Sequence, residues 1–400
     1  MIQRALTAHC LISTTRTNLL LPFPQRPTYS KQLAARCLHP MSTLLSHFVA
    51  GPKPRRKASS GFFQMCKHHT LTSPCNHSSN DNLSRLSSAL SNHSRILCLT
   101  GAGLSTESGI PDYRSPNRPQ YNPITHQQFI SQHSSRQRYW ARSMIGYRRM
   151  RLARPNEGHR ALSRGLQQNI HGIITQNVDD LLQQASCPSE KVVHLHGTIH
   201  YVVCLRCGSR FSREEVQFNL EKRNPLYKRY VDVLLRGLDR RIGSNDSPSK
   251  DGEHEWEDFI GSEISQSLPS MPDGDLDLFQ LLSSQRPHAD TEIPSSEHFY
   301  HTMLYLSCHC GGILKPDVVF YGGTVDKSVL AQVEKLLTES DFLLVIGTSL
   351  STWSAYRIVK AVKDKGIQCA ILNDGWTRAD EIVGLKSNGR CGITLKHLFG

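Results

Sequence analysis

The sequence predicts a doubly wound α/β domain, in which a parallel sheet carries helices on both faces. Short, almost wholly apolar runs of strand length recur along the chain, for example 96–100 and 342–346. Helix-length stretches such as 327–340 and 355–365 separate several of these runs. A strand that is apolar on both faces is buried on both faces, which is typical of a parallel sheet between two layers of helices.

Four further runs are predicted to be strands of the same sheet, and two segments interrupt the alternation. Residues 118–156 are predicted to form a helical insertion between strands of the sheet. A second insertion, over 204–310, starts and ends with a pair of cysteines. The further strand candidates are 172–175, 191–195, 317–320 and 368–372.

Size and charge exclude several classes of protein. The 400 residues are enough for two or three domains, and the longest apolar runs, of about five residues, are far shorter than a membrane span. The net charge is +13, but residues 1–80 hold ten basic and no acidic side chains, whereas the remaining 320 hold 37 basic and 34 acidic ones. We therefore expect no membrane partner, and no broad basic face of the kind that binds nucleic acid.

Residues 1–80 have the composition of a mitochondrial transit peptide. They are rich in Arg, Ser, Thr and Leu and contain no acid, which is typical of segments drawn into the mitochondrial matrix. The basic run Arg55–Lys57 leaves a nuclear or nucleic-acid patch as one alternative, and a disordered basic tail as another.

A strongly acidic insertion is predicted at about residues 238–300. Residues 241–300 contain thirteen acids against three bases, with many Ser, Pro and Gly residues. This composition predicts a solvated, disordered loop, and an acidic docking surface is the alternative interpretation.

The glycine-rich turn Gly101–Gly109 directly follows the first predicted strand. Glycines at such a turn let backbone N–H groups approach a pyrophosphate, and Ser105 adds a hydroxyl donor. Thr106 stands where the usual dinucleotide fingerprint has a third small residue, so a plain tight turn remains the alternative.

Small polar clusters follow several other predicted strands. They are 110–114 on the loop after the glycine turn, Thr175–Asp179, Gly347–Ser349 and Asn373–Gly375. Because parallel strands end at one edge of a sheet, these clusters are predicted to line one ligand crevice. Asp179 could instead cap the helix that follows it.

His194 and His196 close another strand candidate. Alternation places both side chains on one face, so a metal-binding pair has to be considered. No third ligand with suitable spacing stands out nearby, whereas a single histidine at a strand end suits a proton acceptor at neutral pH. We favour His196 as the base.

Four cysteines have the spacing of a structural zinc site. Cys204 and Cys207 form a Cys-x-x-Cys pair, and Cys308 and Cys310 form a tighter Cys-x-Cys pair. Four thiolates fill a tetrahedral zinc ion and leave no position for water. The narrow second pair makes His309 or His301 an alternative ligand.

Together, the motifs in this order resemble the sirtuins, the NAD-dependent protein deacylases, over about residues 85–400. The motifs are Gly101–Arg114, Thr175–Asp179, Leu195–Gly197, the two cysteine pairs, Leu314–Phe320 and Gly347–Ser349. Similarity to the class II, sirtuin 4-like mitochondrial branch rests on Gln137–Arg142, Pro272–Asp275, Leu372–Arg378 and Arg390–Gly392.

The resemblance implies a Rossmann-like NAD domain and a smaller zinc-binding and helical domain, with the substrate protein in the cleft between them. The Rossmann-like parts would be about 92–117, 157–200 and 314–400, the helical insertion about 118–156, and the zinc module about 201–313. It implies NAD and one structural Zn²⁺ as cofactors and acyl-lysine proteins as partners, and leaves the oligomeric state open.

The resemblance also assigns roles to individual residues. Neutral His196 would deprotonate a ribose hydroxyl, with Asn177 and Asp179 beside it, while the acyl-lysine oxygen captures C1′ of the ribose. The strand bearing Val318, Val319 and Phe320 would pair with the substrate backbone. The implied cofactor-binding residues are Gly101, Ala102, Gly103, Ser105, Pro111, Asp112, Tyr113, Arg114, Tyr121, Gln176, Asn177, Val178, Asp179, Gly347, Thr348, Ser349, Asn373, Asp374, Gly375 and Cys391.

The sequence departs from the family pattern in places and leaves other functions open. Gly323 replaces a usual acid after the substrate strand, at a position that bears on substrate clamping and acyl preference, and His194 replaces a frequent acid. Protein ADP-ribosyl transfer is left open as a second activity. The alternative from another class is a weakly catalytic, NAD-sensing interaction protein that docks through the acidic insertion, and a dehydrogenase is a distant third.

Overall fold

The computed structural model describes residues 79–113, 123–225, 227–229, 232 and 300–400. Nearly all of the predicted transit peptide and of the acidic insertion therefore lies outside the described residues. Of the helices in the described ranges, none combines the length and the apolar character that crossing a bilayer requires.

The main sheet has six parallel strands, which confirms the predicted doubly wound α/β fold. Their order across the sheet is β3-β2-β1-β7-β8-β9. Their bounds are Ile96–Thr100 (β1), Ile170–Thr175 (β2), Val192–His194 (β3), Phe342–Ile346 (β7), Gln368–Leu372 (β8) and Leu385–Ser387 (β9).

Helices cover both faces of this sheet because alternate side chains of each central strand enter different cores. Ile96 and Cys98 of β1 pack against one helical layer, and Leu97 and Leu99 pack against the other. The first layer consists of Ser79–Ser91 (α1), Glu157–Gly165 (α4) and Cys391–Phe399 (α9), and the second of Lys327–Thr338 (α7) and Trp353–Asp364 (α8).

A second module holds a three-stranded antiparallel sheet with the order β5-β4-β6. Its own apolar core is centred on the buried side chains of Phe129, Trp140 and Leu220. The strands are Gly197–Cys204 (β4), Arg210–Ser212 (β5) and Leu314–Val318 (β6); the helices around them are His126–Ser131 (α2), His133–Leu152 (α3) and Arg213–Arg223 (α6). The short helix Leu181–Gln184 (α5) follows β2 in the chain.

The expectation that residues 317–320 add a strand to the parallel sheet was wrong. The strand there is Leu314–Val318, and it pairs antiparallel with β4 in the smaller sheet. Pro316 fits this placement, because β6 lies at the edge of its sheet and an edge strand tolerates a residue without an N–H donor. Neither β4 nor β9 was predicted, since both mix polar with apolar residues.

The ends of β1 and β7 meet at the point where the strand order reverses. The N–H of Gly103 donates a hydrogen bond to the carbonyl oxygen of Gly347 at 2.8 Å. Gly347 has φ +57°, and a Cβ on it would lie 2.6 Å from the Leu104 nitrogen. The chain therefore needs glycine here. In an open α/β sheet this position opens a crevice at the carboxyl ends of the strands.

A Gly347→Ala variant tests this contact, with Gly366→Ala as its matched control. Gly366 also has a positive φ, +71°, but nothing lies within 4 Å of a Cβ built on it. Both variants should carry the left-handed backbone cost of about 1–2 kcal/mol. Urea unfolding should show that Gly347→Ala loses about 2 kcal/mol more, the usual scale of overpacking. Equal losses would contradict the contact.

Candidate active site

One large open cavity, of about 1680 Å³, lies along the carboxyl ends of four neighbouring strands. Residues after β8, β7, β1 and β2 all line it, and three strand spacings of about 4.8 Å make this row roughly 14 Å long. Of the predicted residues, the following line the cavity: Ala102, Gly103, Ser105, Asp112, Tyr113, Gln176, Asn177, Val178, Asp179, His196, Val318, Val319, Phe320, Gly347, Thr348, Ser349, Asn373, Asp374, Gly375 and Cys391.

Four predicted cofactor residues are not among the lining residues. Gly101 and Pro111 are buried behind the surface, and a Cβ on Gly101 would lie 2.6 Å from the Cβ of Thr348. Gly101 therefore supports the cavity wall by close packing instead of facing the cavity. Arg114 and Tyr121 lie outside the described residues.

His196 follows β3, and its hydrogen bonds hold the imidazole in one tautomer. Its Nδ1 lies 3.2 Å from the carbonyl oxygen of Gln176, which can only accept, so Nδ1 carries the proton. Its Nε2 is then the acceptor for the Ser354 hydroxyl at 2.8 Å. Burial lowers the pKa of His196 to about 4, so the ring is neutral at pH 7. A neutral ring with its lone pair on Nε2 is what a general base requires.

His194 does not join His196 in a metal pair. Its Nδ1 lies 3.8 Å from Asp180 Oδ1, and its Nε2 lies 2.5 Å from Gln183 Nε2. Within the described ranges, the four predicted cysteines form the group of side chains that could hold a metal ion.

Ser354 is a site residue that the sequence analysis missed. It is the second residue of α8, in the first turn that follows the N-cap residue Thr352. The Thr352 hydroxyl donates to Gln176 Oε1 at 3.3 Å, and Gln176 Nε2 donates to Thr348 Oγ1 at 3.0 Å. The signal was present in the sequence, because Ser351 and Thr352 follow Gly347–Ser349 and are typical of a helix start.

Hydrogen bonds join Asp179, Asn177 and Ser105 in the wall of the cavity. The Ser105 hydroxyl donates to Asp179 Oδ2 at 2.6 Å, and Asn177 Nδ2 donates to Ser105 Oγ and to the Gly101 carbonyl, both at 3.0 Å. Asp179 Oδ1 also accepts a hydrogen bond from the Leu181 N–H at 3.1 Å, so the carboxylate binds the first residue of helix α5 as well as Ser105. Burial raises the pKa of Asp179, and the hydrogen bonds from Ser105 and Leu181 oppose that rise.

The segment with the predicted substrate residues is joined to the base through the backbone. The Val319 N–H donates to the carbonyl oxygen of His196 at 2.8 Å. Gly197 has φ +80°, and a Cβ there would lie 2.0 Å from the Asp317 carbonyl oxygen, so only glycine allows the two segments to pack this closely. Moving this segment would therefore move His196.

A buried lysine stabilises the same strand from behind. Lys315 donates from Nζ to the carbonyl oxygens of Pro316 and Val318, and Nζ lies 4.7 Å from the centre of the Phe320 ring. Burial lowers the pKa of Lys315 to about 8. Because β6 is an edge strand of its sheet, an extended peptide can add to it through main-chain hydrogen bonds.

The residues of the cavity fit NAD. Glycine backbones from two strand ends meet at its centre, so no side chain separates a ligand from the main chain of Gly103 or Gly347. At one end Asn373 and Cys391 line the wall, and burial raises the pKa of the Cys391 thiol. At the other end lie Asp179 and His196, which are the polar groups suited to a ribose.

The four cysteines fit one structural zinc ion. The Sγ atoms of Cys204 and Cys310 lie 3.4 Å apart, those of Cys207 and Cys308 lie 3.7 Å apart, and all four lie within 4.8 Å of one another. Zn–S bonds of ~2.3 Å in a tetrahedron require sulfur separations of roughly 3.8 Å. His301 and His309, the alternative ligands, do not belong to this group.

Each cysteine pair sits on a tight turn that ends in a left-handed glycine. Gly208 follows Cys207 with φ +71°, and Gly311 follows Cys310 with φ +76°. Gly312 is required as well, because a Cβ there would lie 2.5 Å from Cys204 Sγ. The turn lets the Cys308 N–H reach the Gly312 carbonyl at 3.0 Å, and the narrow pair is accommodated in this way.

A Cys204→Ser variant should lose the zinc and much of the stability of the smaller module. Elemental analysis should find about one zinc per chain in the wild type and in Cys369→Ser, which changes a cysteine of β8 that does not belong to the cluster. We expect the unfolding midpoint of Cys204→Ser to fall by roughly 10 °C, since folded domains of about 150–250 residues lose about 2–4 °C per kcal/mol of stability. Unchanged zinc content would contradict the assignment.

The neutral state of His196 is measurable by NMR. A ring whose pKa is lowered to about 4 is unprotonated above roughly pH 5, so its signals should not move between pH 6 and 8. The His196→Ala spectrum identifies the signal, and imidazole added to the same sample is the titrating reference. A midpoint near 6.5 would contradict the neutral ring.

Comparisons with known proteins agree with this geometry. Residues 101–354 match the Sir2 family. The NAD-dependent protein deacylase SRT2 of Arabidopsis thaliana is 39% identical over 312 residues, covering 76% of this chain and 73% of its own. The NAD-dependent protein deacylase Sirt4 of Drosophila melanogaster is 33% identical over 325 residues, covering 80% and 87%.

Solved structures share the fold of this chain. The complex titled "Sir2-p53 peptide-NAD+" superposes with a TM-score of 0.52 at 22% identity, over 79% of this chain and 96% of that one. The family assignment rests on the sequence relatives, and Sirt4-type proteins are among them. The chain belongs to the Sir2 family, the sirtuins, as its motifs indicated.

Proposed function

We propose that this protein is an NAD-dependent protein lysine deacylase, which transfers the acyl group to ADP-ribose and releases nicotinamide. The observation that carries the proposal is the neutral imidazole of His196, whose Nε2 accepts a hydrogen bond at the end of a cavity that fits NAD. The names of the relatives support it, since those of Arabidopsis and Drosophila are NAD-dependent protein deacylases.

Different residues of the cavity have different roles in such a reaction. Bound NAD supplies a ribose carbon that becomes electrophilic as nicotinamide leaves. Asp179 places a buried carboxylate at that end, where negative charge favours a developing cation. His196 takes a proton from a ribose hydroxyl at Nε2, and its Nδ1–H stays bound to Gln176 so that the ring keeps its orientation.

The edge strand β6 and the residues after it would hold the acylated substrate. Strand addition uses main-chain hydrogen bonds, so it accepts many sequences around the modified lysine. A neighbouring structure, titled "Structure of Sir2Tm bound to a propionylated peptide", illustrates a substrate of this chemistry for another member of the fold. The protein partners of this chain are, on this proposal, acyl-lysine proteins.

A His196→Ala variant should lose deacylation and keep the fold. Removing a general base costs about 10²–10⁴-fold in rate, and we expect a loss of that size in NAD-dependent deacylation of an acyl-lysine peptide followed by mass spectrometry. His397→Ala, an exposed residue on α9, is the control and should retain wild-type rates. Full activity in His196→Ala would refute the proposed base.

The location of the protein is a second proposal, based on composition alone. Residues 1–80 are basic, free of acids and rich in hydroxyl residues, which favours import into the mitochondrial matrix. A fluorescent protein fused behind residues 1–80 should enter mitochondria, and the same fusion with the ten basic residues changed to Gln should remain outside. Nuclear accumulation of the unmodified fusion would instead support the basic run Arg55–Lys57.

A further inference from the structure

A completely buried histidine lies beneath the proposed ribose end of the cavity and takes no part in the chemistry proposed so far. His159 belongs to the first turn of α4 and has no exposed surface. Its Nε2 lies 3.4 Å from the hydroxyl oxygen of Ser105, the residue that donates to Asp179. A buried polar ring at this place needs partners for both of its nitrogens.

The hydrogen bonds of His159 fix its tautomer. The backbone N–H of Asn156 points at Nδ1 at 3.3 Å, and because an N–H can only donate, Nδ1 must carry the lone pair. The proton of the neutral ring is therefore on Nε2, where it faces Ser105. Burial lowers the pKa of His159 to about 3, so this neutral form persists over the whole physiological range.

This tautomer determines the direction in which the Ser105 hydroxyl points. The oxygen accepts from His159 Nε2 on one side and from Asn177 Nδ2, at 3.0 Å, on the other. A hydroxyl has one proton and two lone pairs, so with both lone pairs engaged the proton is directed to Asp179 Oδ2 at 2.6 Å. Every donor and acceptor in the chain from His159 to Asp179 is then matched.

Asn156 holds the histidine in register with the glycine turn. Its Oδ1 caps α4 by accepting from the N–H groups of Gly158 and His159, at 2.9 and 3.3 Å. Its Nδ2 donates to the Leu104 carbonyl at 2.7 Å and to Ser108 Oγ at 3.0 Å. The helix start and the turn that lines the cavity are thus joined side by side, and His159 cannot shift without breaking these bonds.

We propose that His159 is a positioning residue of the active site. By donating from Nε2 to Ser105, it directs the Ser105 hydroxyl to Asp179 and so holds the Asp179 carboxylate and the Asn177 carboxamide in the orientation that the ribose end of the cavity requires. The activity arm of its test rests on the proposed deacylase function, whereas the spectroscopic arm does not.

Loss of the donor should change more than stability. Without it the Ser105 hydroxyl is free to turn away, and Asp179 then loses a hydrogen bond that opposes the effect of burial on its pKa. The pKa of Asp179 rises further, so the carboxylate becomes protonated at a higher pH than before. The acid limb of the pH profile of kcat/KM for NAD should therefore move to higher pH.

Two substitutions separate positioning from packing. Gln places its side-chain N–H near the position of imidazole Nε2, so His159→Gln retains a donor to Ser105. Asn reaches only to the position of Nδ1, so His159→Asn loses that donor while it still introduces a polar carboxamide. Both variants alter the buried packing, and only one of them is expected to break the hydrogen bond to Ser105.

The kinetic measurement is NAD-dependent deacylation with zinc-loaded protein, compared at equal folded fraction. We expect kcat/KM for NAD to fall about 10- to 100-fold in His159→Asn, the range for an unsatisfied buried hydrogen bond, with the acid limb shifted upward. His159→Gln should stay within roughly threefold of the wild type. In a Ser105→Ala background, the further change to His159→Asn should cost less than about twofold, because the shared partner is already gone.

The spectroscopic measurement uses the ligand-free wild-type protein. Long-range ¹H–¹⁵N correlation should show the proton of His159 on Nε2, unchanged from pH 5 to pH 8, with the signal identified by its absence in His159→Gln. This arm needs one folded His159 variant, either His159→Gln or His159→Asn, to identify the signal, and a proton on Nδ1 overturns the proposal even where the wild type releases no nicotinamide. If the wild type releases no nicotinamide, the proposed function fails, but the tautomer of His159 can still be measured.

Three results would overturn the proposal. They are a proton on Nδ1 of His159, a His159→Asn variant with the kcat/KM and pH profile of the wild type, and equal losses of kcat/KM in His159→Asn and His159→Gln. The last result would mean that His159 serves only packing and capping of α4.

Discussion

The active site depends on one backbone contact, the hydrogen bond from the Gly103 N–H to the Gly347 carbonyl at 2.8 Å. It joins the ends of β1 and β7, the two strands between which the order of the sheet reverses. Side chains at either position would force the strand ends apart, because a Cβ on Gly103 or on Gly347 would lie within 3 Å of the opposite backbone. The floor of the cavity is thus main chain, which is what close approach to a diphosphate requires.

The strands beside this contact place the polar side chains of the site. β2 lies beside β1, so its end brings Gln176, Asn177 and Asp179 next to the glycine turn, and β3 brings His196 one strand further along. The smaller antiparallel sheet begins directly after His196 with β4, and Val319, the residue after its edge strand β6, donates a hydrogen bond to the His196 carbonyl. Base, cofactor floor and substrate strand therefore form one connected unit.

Much of this arrangement could be predicted from the sequence, because parallel strands leave a clear signal. Buried strands such as β1 and β7 are continuous apolar runs, and the polar residues that follow them meet at one edge. The cysteine spacing also predicted the metal cluster, because the spacing within each pair reflects the geometry of a local turn.

The remainder depends on contacts between distant segments. The predicted run at 317–320 has the apolar pattern of a parallel strand, whereas the strand itself, Leu314–Val318, is mixed in character and pairs antiparallel with β4. Ser354 meets His196 across 158 positions, and His159 meets Ser105 across 54, so neither pair has a local sequence signature. The mixed strands β4 and β9 were missed because half-polar segments give no periodic signal.

The most direct test of the proposed chemistry is calorimetric titration of the folded, zinc-loaded protein with NAD in the presence of an acyl-lysine peptide. We predict saturable binding of one NAD per chain, at the cavity formed by Gly103, Gly347 and His196. No detectable binding, under conditions in which the zinc content and the thermal unfolding transition confirm a folded protein, would contradict the assignment of this cavity to NAD.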